Sequence, residues 1–167
     1  MKKTLKNRIK QMTEHAAELI PSPLAFLFYT ENDSDISQDE MHACLEELQR
    51  KIHSDGNHFG FIAITDETEH GFHYHVICFV SSRSYGNSFR FGSMLNKVWN
   101  ESLPGKLYPF WPDNPMYRLS TQMEAFLERC NYFSNPHKSQ IPKSLEHSKK
   151  RYWSSHLSSL STKRKAA

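Results

Sequence analysis

Apolar residues recur at three-to-four spacing in four stretches of the chain, which predicts four amphipathic helices. The first covers 5–19, with Leu5, Ile9, Met12, Ala16 and Leu19 on one side, and Pro21 and Pro23 end it. A second helix over 38–53 turns Met41, Cys44, Leu45, Leu48 and Ile52 inward, and Ser37 with Glu40 reads as its capping box. The third, over 88–102, gathers Phe91, Leu95, Val98 and Trp99, and the fourth is TQMEAFLERCNYF at 121–133. Between them lie runs with the composition of strands. LAFLFYT (24–30) reads as a buried strand, and FGFIAIT and FHYHVICFV within 58–80 read as a hairpin closed by a short polar turn. Residues 103–120 carry Pro104, Pro109, Pro112 and Pro115 and read as an irregular loop or short extended pieces. This order of elements predicts an α+β fold, a small antiparallel sheet covered by helices.

The chain has 167 residues, enough for one domain over 1–157, with 158–167 reading as a basic, disordered tail. No apolar run is long enough to span a bilayer, and the basic N-terminus is followed by no apolar signal core, so a cytoplasmic protein is expected. Cys44, Cys78 and Cys130 share no metal-type spacing and read as reduced thiols. The net charge of +3 hides an uneven distribution. Residues 136–167 hold eight Lys and Arg against the single acid Glu146, and residues 1–10 add five more cations. The body, 11–135, has eight basic and seventeen acidic residues. Basic ends around an acidic body suit a protein that holds phosphate at its ends and a metal in its middle, and equally a body with a solubilising tail.

The hairpin carries the chemistry. His73 and His75 flank Tyr74 in a strand, so both imidazoles project from one face while Tyr74, Val76, Cys78 and Val80 project from the other. Two neutral imidazoles so placed can share one divalent ion and leave positions open for substrate oxygen. A third ligand is expected from the preceding strand. With Glu69-His70-Gly71 as a three-residue loop, Thr68 pairs with Phe72, Glu67 falls opposite His73 and Thr65 opposite His75. A two-residue loop is expected instead to bring Asp66 opposite His75, and Asp66 and Glu69 stand as reserve ligands behind Glu67. Further on, Lys149, Lys150, Arg151, Tyr152 and Trp153 mix charge with aromatic rings, a combination suited to single-stranded nucleic acid.

His73-Tyr74-His75-Val76 and the apolar strand that follows resemble the histidine–hydrophobic–histidine motif of the HUH endonucleases, which include rolling-circle replication initiators, relaxases and some transposases. Members pair a metal-binding strand hairpin with one or two nucleophilic tyrosines on a later helix. More closely, the order of features resembles the gene-two replication proteins of filamentous phages and their prophage-borne relatives. Tyr85, Gly86 and Trp99 stand where that family has a tyrosine and glycine before a tryptophan-bearing helix. Tyr132-Phe133-Ser134-Asn135 with Lys138 takes the place of the tyrosine–lysine segment, and Arg151-Tyr152-Trp153-Ser154-Ser155 that of the closing element. The resemblance spans residues 24–155. Three features depart from it: Asn135 stands where a lysine is expected, Trp153 or Ser154 where a glycine is, and the first strand lacks the basic and acidic residues expected near LAFLFYT.

The resemblance implies a metal-dependent enzyme that nicks and rejoins single-stranded DNA at a replication origin. His73, His75 and Glu67 would hold Mn²⁺ or Mg²⁺, Tyr132 would become a 5′-phosphotyrosine, and Lys138 would steady the phosphate. Host polymerase and helicase are the implied partners. Two other functions fit the same residues: a prophage DNA-binding protein with an impaired site, and a metal-dependent hydrolase that forms no adduct. Tyr29, Tyr74, Tyr85, Tyr108, Tyr117 and Tyr152 are the other tyrosines, with Tyr74 turned from the metal by strand parity.

Overall fold

The computed structural model describes residues 5–30, 35–68, 71–85, 88–134 and 152–155. In chain order the elements are α1 (Leu5–Leu19), β1 (Pro23–Tyr29), α2 (Gln38–Ser54), β2 (Phe59–Thr68), β3 (Gly71–Ser81), α3 (Ser88–Ser102), β4 (Met116–Arg118), α4 (Leu119–Ser134) and β5 (Tyr152–Ser154). The strands form one antiparallel sheet in the order β4-β1-β3-β2-β5, so the HYH strand is central. The expected α+β class and all four expected helices are present. The capping box forms as read: Ser37 Oγ accepts from the Glu40 amide, and the Glu40 carboxylate accepts from the Ser37 amide. Hydrogen bonds to the carboxylate from the Ser37 backbone amide first, and from the Ser37 side chain second, hold the Glu40 carboxyl below its ordinary pKa.

Both faces of the sheet are covered. On one side Leu24, Phe26, Phe28, Phe59, Phe61, Tyr74, Val76, Cys78 and Val80 pack with the buried stripes of α2 and α3, Trp99 among them. On the other, Ala25, Leu27, Ile62, Ile64, Ile77 and Phe79 pack with Leu5, Ile9, Met12 and Ala16 of α1 and Phe126 and Cys130 of α4. Double coverage explains why β3 is apolar at both parities. Phe72 belongs with the α2/α3 side and Ile77 with the α1/α4 side.

Two strands lie where the residue pattern shows none clearly. β4 emerges from the proline-rich segment and pairs with β1, Leu24 opposite Arg118. β5 adds to the far edge of β2, with Ala63 opposite Trp153 and Ile64 opposite Tyr152. Ser155 anchors it, its hydroxyl accepting from the Phe61 amide at 2.8 Å and its amide donating to the Phe61 carbonyl at 3.1 Å. From α1, Arg8 donates to Ser154 Oγ at 2.9 Å.

Candidate functional site

The hairpin register decides which side chains meet. Thr68 pairs with Gly71, leaving a two-residue connection at 69–70, and Asp66 is opposite His73 while Ile64 is opposite His75. The three-residue loop is therefore corrected, and with it the position of Glu67, which pairs with Phe72. Thr65 is opposite Tyr74 and not His75. Gly71 is spent as the first residue of β3, so the loop closes one residue earlier than a turn built on that glycine would. A one-residue change of this kind moves every side chain to the other face, and the acid it brings to the histidines is Asp66. The two-residue loop sets Asp66 opposite His73 rather than His75, yet Asp66 Oδ2 is still 3.8 Å from His75 Nε2, on the diagonal.

His73 and His75 converge. Their Nε2 atoms are 2.9 Å apart and their rings meet edge to face at a centroid distance of 4.5 Å. Tyr74 holds the strand from behind: its phenol donates to the Ile36 carbonyl at 2.8 Å, and its amide donates to Thr30 Oγ1 at 2.9 Å. Fully buried, Tyr74 faces away from the histidines, as parity requires, and burial pushes its phenol pKa up. Burial, then the neighbouring His73 and Arg129, brings the His75 pKa down from 6.5 to about 3. The ring is thus held neutral with a lone pair to offer.

Tyr29 completes the surroundings. It ends β1 opposite His75, and its ring centroid is 6.3 Å from each histidine. Phe110 stacks on Tyr29 at 5.9 Å, fixed by paired backbone hydrogen bonds between residues 29 and 110. Neither aromatic stands out in the sequence, because their place depends on β1 pairing with β3 and on a proline-rich segment folding back. Arg129 is equally silent in the sequence, and only the docking of α4 brings its charge to His75.

Tyr132 is in the last turn of α4, the helix that covers the histidine face. The buried stripe of that helix runs through Leu119, Phe126 and Cys130, with Met123 and Leu127 beside it. Tyr132 follows Arg129 by three residues, about one turn. Tyr152 is partly buried and packs against the α1/α4 core as part of β5, and Trp153 is paired with Ala63 through the backbone. Lys138, Asn135, Glu69, Gly86, Lys149, Lys150 and Arg151 lie outside the described residues.

Among the described residues no group of three or more His, Cys, Asp and Glu side chains is arranged to hold a metal ion. The histidine pair stands alone with Asp66 at its margin, 3.8 Å from His75. Its donors still suit a divalent ion. Adjacent ligands on an octahedral ion with bonds of about 2.1 Å lie roughly 3 Å apart, and the two Nε2 atoms are separated by 2.9 Å. Nitrogen donors with a carboxylate lean towards Mn²⁺ over Mg²⁺. No family model matches the chain, and neither a curated protein nor a solved structure does.

Proposed function

We propose that this protein nicks and rejoins single-stranded DNA to start rolling-circle replication, with Tyr132 as nucleophile and His73, His75 and Asp66 as the metal-holding set. One observation carries this reading: the Nε2 atoms of His73 and His75 converge on the central strand, on the sheet face covered by the helix that bears Tyr132.

A divalent ion bound there supplies positive charge to a non-bridging oxygen of the scissile phosphate. The protein's own groups account for the rest. Tyr74, anchored to Ile36 and Thr30, fixes the strand so that both imidazoles share one direction. Burial keeps His75 neutral, so no proton must leave it before its nitrogen donates. Arg129 adds a fixed cation on the flank where phosphate charge collects. The Tyr132 phenol gives up its proton to solvent, and its oxygen attacks phosphorus in line as the bond to the 3′ oxygen breaks. The leaving 3′ oxygen takes up a proton, and the 5′ end stays on the tyrosine. The phosphodiester energy is kept for rejoining, and the free 3′-OH primes host polymerase while helicase opens the duplex ahead.

The test is a covalent-adduct assay with Mn²⁺ and a pool of labelled single-stranded oligonucleotides on a denaturing gel. The expected result is a protein–DNA band that disappears in Tyr132→Phe and His75→Ala. A band that survives Tyr132→Phe and disappears in Tyr29→Phe would move the nucleophile to the tyrosine beside the histidines. Cutting without an adduct would indicate a hydrolase, and binding without cutting a DNA-binding protein.

A further inference from the structure

A second feature stands at the other end of the central strand. From His73 to Ser81 the strand runs eight residues, roughly 26 Å at about 3.3 Å per residue. Beyond Ser81 a cleft of about 680 Å³ opens between the end of α2, the turn after β3 and the first three turns of α3. Three cations line it, Arg83, Arg90 and Lys97, against the single acid Asp55. Phe89 stands at its rim with 80% of its surface exposed, the most exposed large apolar side chain among the described residues.

The cleft rests on a braced framework. The Ser81 hydroxyl donates to the Pro21 carbonyl and accepts from the Arg83 amide at 3.3 Å, which fixes the turn that presents Arg83. Ser84 donates to the Asn57 side chain, tying that turn to the end of α2. Tyr85 is buried behind it and packs edge-on against Phe91. On α3, Arg90 and Lys97 are seven residues apart and so share one side of the helix. An exposed ring beside three cations on a fixed surface has no packing role. It is the combination that takes a base on the ring and phosphates on the charges.

The geometry points to a second nucleic-acid site: the cleft between the β3–α3 turn and α3 holds a single strand of DNA or RNA, one base stacked on Phe89 and its phosphates on Arg83, Arg90 and Lys97. A duplex keeps its base faces internal and leaves Phe89 nothing to stack on. The site is separate from the histidine centre and does not depend on the nicking chemistry proposed above.

The experiment is fluorescence anisotropy of the full chain with a labelled oligothymidylate in EDTA, which silences metal-dependent cutting. Phe89→Ala is expected to weaken binding about tenfold with an unchanged salt dependence, since it removes stacking and no charge. The double variant Arg90→Gln, Lys97→Gln should lower the slope of log K against log salt by about 1.4, at about 0.7 per single-strand phosphate. All three side chains are exposed, so thermal melts should match the wild type. His75→Ala should bind as the wild type does, which separates this site from the nicking reading. Arg50→Gln, on exposed α2 surface outside the cleft, should have no effect. An unchanged Kd in Phe89→Ala, an equal loss in Arg50→Gln, or duplex bound as tightly as single strand would each overturn the proposal.

Discussion

The two faces of the sheet are built from the same strands and end differently. Towards α2 and α3, β3 turns Tyr74, Val76, Cys78 and Val80, and every one is buried in a continuous apolar layer. Towards α1 and α4 it turns His73, His75, Ile77 and Phe79, so the apolar layer covers only one end. At the other end stand two imidazoles, Asp66 and Tyr29. One face is apolar along its whole length, and the other carries polar groups at one end. Burying the rest of the strand is what makes this affordable. Tyr74 is locked from the sealed side, and the histidines on either side of it inherit its rigidity.

The comparison can be broken first from the sealed side. Trp99→Ala removes a fully buried indole and is expected to cost about 3–5 kcal/mol, read by urea denaturation. Acid tests the histidine side. His75 is held neutral, its pKa brought from 6.5 to about 3 by burial and by His73 and Arg129. The unfolded chain takes that proton near pH 6.5, so between pH 6.5 and 3 the unfolded state binds more protons than the folded one. Stability in metal-free buffer should therefore fall as pH drops through this window and be complete above it. The loss is at most about 1.4 kcal/mol per pH unit, and denaturation in His75→Leu should show a flatter profile. Tyr74→Phe deletes the hydrogen bond to the buried Ile36 carbonyl, for an expected loss of about 1–2 kcal/mol and a weaker hold on both imidazoles. Ser37→Ala removes the cap of α2 on the sealed side. It should cost about 1 kcal/mol and leave the proposed DNA cleavage unchanged.

Much of this was legible in the residues. Helical periodicity placed α1, α2, α3 and α4 to within a few residues, and alternation around His73-Tyr74-His75 gave the correct division of faces. The hairpin register was not legible. Asp66-Glu67-Thr68-Glu69 offers three carboxylates in four positions, and only the loop length decides which one faces the histidines. A glycine at 71 favours a turn locally, but the pairing of Thr68 with Gly71 overrides it. β5 was illegible for another reason. Three residues beside a basic run form a strand only because the edge of β2 is available, a long-range cause with no local mark. The same holds for Tyr29 and Phe110, whose stacking beside the histidines depends on which strands pair.

The most direct measurement is a Mn²⁺ titration followed by electron paramagnetic resonance, on the wild type and on Asp66→Asn, Glu67→Gln and His75→Ala. The register places Asp66 and not Glu67 opposite His73. One bound Mn²⁺ is therefore expected in the wild type and in Glu67→Gln, with affinity lower by about tenfold or more in Asp66→Asn and His75→Ala. Loss of the ion in Glu67→Gln with its retention in Asp66→Asn, or no bound ion in the wild type, would contradict a metal centre on the histidine face.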